Sequence, residues 1–198
     1  MATAAGDLAG ARDHHQASLD IAARLAAADP ANTEWQRDLS ISHNKLADVA
    51  IAAGDLAGAR DHYQASLDIR ERLAAADPTN TEWQRDLSIS HIKLGDVAMA
   101  AGDLDAVRTA YQADLNIAEQ LAAADPANAQ WQRDLSVSHI KLGDVAMADG
   151  DLTAARTAYQ ADLNIFIRLA AADPANTQWQ RDLQFVRQRI DDMTSAPA

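Results

Sequence analysis

Residues 94–115 read LGDVAMAAGDLDAVRTAYQADL, and the turn in their middle decides how the whole chain is built. Gly102 is suited to the left-handed position that closes a helix, and Asp103 to capping the helix that follows. Ahead of the turn, Trp83, Leu87, His91, Leu94 and Ala98 recur at three- and four-residue spacing, which is one face of a helix. Ile89, Ile92 and Met99 add a second apolar stripe, so this helix is expected to pack against two neighbours. Beyond the turn, Leu104, Val107, Tyr111, Leu115, Ala118 and Leu121 carry a second helix, which ends before Pro126 because proline disfavours helical geometry in the residue ahead of it. At the front, Thr81 and Gln84 read as a capping box, with Asn80 the competing N-cap. The predicted unit is a hairpin of two helices, each of about 20 residues and about 30 Å long.

The unit is repeated. TEWQRDLSIS stands at 33–42 and again at 81–90, with variants at 129–138 and 177–186. Residues 81–128 and 129–176 agree at 39 of 48 positions without a gap, so the period is fixed and no copy carries an inserted domain. Such periods mark stacked units, none of which buries its apolar face alone. The expected layout is a single domain over 1–198. It has an unpaired helix at 7–28, helix pairs at 33–76, 81–124 and 129–172, and a last helix at 177–193, eight helices in all. Hydrophobic residues are 48% of the chain but aromatics only 5%, because alanine supplies much of the apolar count, which favours helix throughout.

The net charge of −12 repels phosphate backbones and anionic lipid, which disfavours nucleic-acid and membrane partners. With no cysteine, disulfides and thiolate chemistry are ruled out. MATAAGDLAGARDHH lacks the basic and apolar regions of a signal peptide, and no run approaches the ~18 apolar residues of a membrane span. A cytoplasmic protein is the expectation.

With Leu-Gly early in the first helix, Gly-Asp at the turn, then an aromatic and a small-plus-Leu pair, and Asp125-Pro126 at the close, residues 94–126 resemble a tetratricopeptide repeat. That repeat usually has about 34 residues. Here WQRDLSIS and NIAEQLA each add about two turns, one to each helix, as in the elongated repeats of bacterial multidomain proteins. The resemblance implies an all-α, right-handed α-solenoid of stacked antiparallel hairpins, acting as a protein-interaction scaffold. It also implies a concave face lined by first-type helices. There the copies would supply rows: Asp48, Asp96 and Asp144; Lys45, Lys93 and Lys141; Ile92 and Ile140; Met99 and Met147. Chaperone-binding members of the family clamp a C-terminal carboxylate with basic and asparagine residues. With isoleucine and aspartate in their place, an amphipathic helix or a basic peptide suits the groove better. The competing reading is that the isoleucines only fasten adjacent helices together. Lys93 and Asp96, three residues apart, are placed to pair within one helix.

Catalysis needs unlike groups converging on one pocket, whereas near-identical copies set each group at a fixed pitch, so no enzyme, cofactor or metal is expected. His43, His91 and His139 read as hydrogen-bonded core histidines, too widely spaced to share a metal. DHHQ at 13–16 lacks zinc-helix spacing. Ser88 and Ser90 read as small residues permitting close packing. Gly95 and Gly143 cost helix stability by about 1 kcal/mol relative to alanine, which points to close approach by a neighbour.

Phe166 and Ile167 break the repeat, standing where other copies have Arg70-Glu71 and Ala118-Glu119, a site read as solvent-facing; Phe185 replaces Ile89 and Val137. These three either cover one another beneath the last helix, the preferred reading, or form an exposed apolar patch for a partner. The last helix carries Arg187, Gln188, Arg189 and Asp191 in place of His, Ile, Lys and Gly, as a polar cap would. The alternative function is head-to-tail association of copies into a homo-oligomer through the unpaired terminal helices.

Overall fold

The structure is a computed structural model and describes the backbone of residues 2–195 and the side chains of 7–193. The described residues form eight helices and no strand: α1 (Ala2–Ala28), α2 (Thr33–Ala52), α3 (Leu56–Ala76), α4 (Thr81–Ala101), α5 (Leu104–Ala124), α6 (Ala129–Ala148), α7 (Leu152–Ala172) and α8 (Thr177–Ser195). First-type helices are α2, α4, α6 and α8; second-type helices are α1, α3, α5 and α7. The chain is all-α over its described residues, and within each of its compact units consecutive helices pack as in an α-solenoid. It divides into two compact units, 1–103 and 104–198. In the first, α1 packs on α2, α2 on α3 and α3 on α4; in the second, α5 packs on α6, α6 on α7 and α7 on α8.

Two short connections alternate. The Gly-Asp turn reverses the chain after a first-type helix. Gly54, Gly102 and Gly150 have φ of +78°, +76° and +77°, the left-handed region where a side chain would be strained. The next amide reaches back to the last turn, Asp55 N–H to Ala50 O at 2.9 Å and Asp103 N–H to Ala98 O at 3.0 Å, which satisfies carbonyls the helix leaves open. The same aspartate then starts the following helix: Asp55 Oδ1 accepts from Gly58 N–H and Asp151 Oδ1 from Ala154 N–H, both at 2.9 Å.

The Asp-Pro loop closes the second-type helix. At its end Asn32, Asn80, Asn128 and Asn176 are the N-caps, each accepting from the amide of the tryptophan three residues on. The capping-box expectation for Thr81 and Gln84 therefore gives way to its competitor. Gln84 has another use: its amide donates to Ala74 O at 3.3 Å, in the last turn of the preceding helix, as Gln132 does to Ala122 O at 3.1 Å. A side chain thus locks each loop to both helices it joins.

The second-type helices α3 and α7 lie between two first-type helices and supply the core. In the first unit Tyr63 packs with Ala47, Ala59 and Val97. In the second, Phe166 packs with Ile165, Leu169, Leu183 and Val186. The close approach expected at Gly143 is present: a methyl group there would sit 2.3 Å from Tyr159 Cε1.

Candidate interaction face

The rows of charge on the first-type helices tie those helices together. In the first unit Asp48 on α2 accepts from Tyr63 Oη on α3 at 2.5 Å and from Lys93 Nζ on α4 at 3.0 Å. Lys93 also lies 5.6 Å from the centre of the Tyr63 ring. The second unit repeats the device: Asp144 on α6 accepts from Tyr159 Oη on α7 at 2.6 Å and pairs with Arg189 on α8, whose guanidinium lies 4.5 Å over the Tyr159 ring. Lys141 sits likewise over Tyr111, at 5.5 Å. Lys93 thus spans two repeats to reach Asp48, a partner that spacing within one helix does not reveal. Partial burial pushes the Asp48 carboxyl up, but the hydrogen bonds from Tyr63 and Lys93 outweigh it and leave it below its ordinary range. Burial, then the hydrogen bond to Asp48, raises the Tyr63 hydroxyl, which stays a donor.

A parallel row runs beside it. Arg37 on α2 reaches Asp86 at 2.9 Å and Glu82 at 2.5 Å, both on α4. Arg133 on α6 stands 4.0 Å from Asp182 on α8. All these partners are partly exposed, so each pair stabilises by less than about 1 kcal/mol, while fixing the register between neighbouring first-type helices.

Apolar residues flank the charges. Ile41 on α2, Val137 on α6 and Phe185 on α8 occupy one repeat position and are exposed, Phe185 most of all at 65%. Ile51 and Met147, at another shared position, are exposed as well. Ile92, Ile140 and Met99 are half-buried, while Asp96 and Lys45 are exposed.

The residues at 166, 167 and 185 do not share one environment. Phe166 is 4% exposed, beneath Leu183 and Val186 of α8, whereas Ile167 and Phe185 face outward. The equivalent pairs divide the same way: Arg70 and Ala118 are buried, whereas Glu71 and Glu119 are exposed. The solvent-facing expectation thus holds for Glu71 and Glu119 and fails for Arg70 and Ala118, because that face of a second-type helix meets a first-type helix. Arg70 donates to Ser40 Oγ at 3.2 Å, Ser90 Oγ at 3.0 Å and Asp86 O at 2.7 Å, so its charge is enclosed but hydrogen-bonded.

His43 is half-buried, with Nδ1 3.1 Å from Nδ1 of His62 on α3, an arrangement only one donor and one acceptor can satisfy. Burial, then the neighbouring His62, lowers its pKa; burial lowers those of His91 and His139 too. His139 lines a cleft of about 560 Å³ with Leu142, Val145 and Ala158, and an ion pair between Arg108 and Asp149 borders it. Among the described residues no group of three or more His, Cys, Asp and Glu is placed to hold a metal ion. The serines pack closely as expected, but they also bond: Ser136 Oγ donates to Asp162 Oδ1 at 2.6 Å.

Sequence reading missed the buried aspartates. Asp114 and Asp162 are enclosed, and burial raises the Asp162 carboxyl to about 6 against the opposing hydrogen bond from Ser136. The signal was legible in aligned repeats: Ser18, Ser66, Asp114 and Asp162 share a position on the apolar stripe of the second-type helix.

No family model matches the chain, and no curated protein matches it in sequence. Among solved structures it is similar to BtubC (BKLC) from P. vanneervenii, at 15% identity and TM-score 0.43, over 96% of this chain and 94% of that one. It is also similar to the de novo designed helical repeat protein DHR64, at 12% identity and TM-score 0.38, over 96% and 95% of the two chains. A third likeness is to the DHF119 filament, at 11% identity and TM-score 0.38, over 95% of each. Among the described residues no helix is long and apolar enough to cross a membrane.

Proposed function

We propose that the chain is a non-enzymatic helical-repeat scaffold that binds a protein partner along the outward faces of its first-type helices. The observation behind this reading is that Ile41, Val137 and Phe185 are exposed at one repeat position, beside charges already engaged with one another. Apolar contact supplies affinity on such a face, and within each unit a half-exposed carboxylate, Asp48 in the first and Asp144 in the second, orients a partner of opposite charge, which suits an amphipathic helix with a basic edge. The test is selection of helical peptides on the folded chain, then titration against Ile41→Ser, Val137→Ser and Phe185→Ser. Binding that weakens in these variants, with thermal stability unchanged, supports the reading; binding indifferent to all three refutes it.

A second reading, self-association through the terminal helices, is favoured by α1. Ile21 and Leu25 are 52% and 39% exposed there, whereas the equivalent Ile69 and Leu73 on α3 are 4% and 6% exposed.

A further inference from the structure

Resting on the self-association reading, we infer that the open face of α1 and α2 receives α8 of a second copy, in the register that α2 holds against α3 and α4. The face is a groove of about 320 Å³, lined by Ile21, Leu25, Trp35, Asp38 and Ile41. Its counterpart on α3 is covered by α2, so the shape it accepts is that of a first-type helix.

The charges identify which helix. Within the first unit, α2 presents Arg37 and Asp48, eleven residues apart, to Glu82, Asp86 and Lys93 of α4. On α2 the residues equivalent to those three are Glu34, Asp38 and Lys45, and among the described residues no ion pair engages them. On α8 the residues equivalent to Arg37 and Asp48 are Arg181 and Asp192, again eleven apart. Arg181 is exposed, and among the described residues Asp192 accepts only from Gln188 of its own helix. The two ends are complementary in sign at both points and at the spacing used inside the chain. Docked so, Arg181 meets Glu34 and Asp38, and Asp192 meets Lys45.

Side-chain size agrees. Where Ser40 meets Arg70 in the first unit, the docked pair is Gln184 against Ala22. Where Ala47 meets Tyr63, it is Asp191 against His15. In both places α8 is larger than α2 and α1 is smaller than α3. The polar residues of α8 that resemble a solvating cap therefore have room on α1, and His15 takes the tyrosine's place beside Asp192. Apolar cover of Ile21 and Leu25 supplies affinity, while the charges select the register.

Sedimentation of the 198-residue chain over a wide concentration range tests this. The average mass should rise with concentration, and raised salt should oppose the rise. Asp38→Arg and Arg181→Asp, both at exposed positions, should each weaken association about tenfold through like-charge contact, and the double variant should regain most of it. Lys45→Asp with Asp192→Lys repeats the exchange at the second point. A monomer at every concentration overturns self-association and this register together. Association that ignores the reversals, or a double variant no better than the single ones, overturns the register alone. Circular dichroism of each variant separates either outcome from misfolding.

Discussion

Asp162 is enclosed with one carboxylate oxygen on Ser136, while Oδ2 has no hydrogen-bond partner among the described residues. Its folded pKa of about 6 lies above the unfolded value, so the folded state holds the proton longer and stability falls as pH rises from about 4 to 6. In Asp162→Asn that slope disappears. Relative to the parent, the variant should gain about 2–3 kcal/mol between pH 4 and 7, read from urea titrations at several pH values. Phe166, four residues on, is a plain packing residue: Phe166→Ala should cost about 3–5 kcal/mol. Ile167→Ala, at an exposed neighbour, should fall within about 0.5 kcal/mol. The same titrations separate the two. Neither contrast was legible from residue types, because a buried aspartate and an exposed one spell alike until the neighbouring helix is placed.

Among the elements, the turns carry the most information in the fewest letters. Gly102→Ala places a side chain at φ +76° and should cost about 1 kcal/mol. Asn80→Ala removes the cap on α4 and should cost about 1 kcal/mol as well, both read by thermal unfolding. Gly143→Ala is a different case. Tyr159 must shift to admit the methyl group, yet Ala47 holds the equivalent place beside Tyr63, whose hydrogen bond to Asp48 is intact. The gain in helix propensity offsets that shift, and the net change should stay within about 1 kcal/mol. The turns and the helical class were readable from Gly-Asp, Asp-Pro and the apolar stripes, since those signals are local. The links between repeats were not: Lys93 to Asp48 and Arg37 to Asp86 span 45 and 49 residues, and only stacking brings them together.

For the molecule as a whole, acid response follows from summed burial. His43, His91 and His139 have pKa values below the ordinary 6.5, so the unfolded chain takes up protons first and stability falls as pH drops below about 6.5. Asp162 acts in the opposite sense below about 6, against three histidines. The melting temperature of a variant with all three histidines replaced by glutamine should therefore rise relative to the parent's as pH falls from 7 to 5. Repetition made the architecture legible, but a partner is recognised by what departs from the repeat, and those departures became interpretable only once exposure was known. One arrangement reaches further. Within each unit the hairpins are held internally by oil-like packing, yet successive first-type helices are laced by half-wet ion pairs. Salt then loosens only the lacing: Tyr63 also packs on Ala47 and Val97 of the two flanking helices, so neighbours stay joined at high ionic strength and each unit keeps a spring constant that the solution trims but does not set.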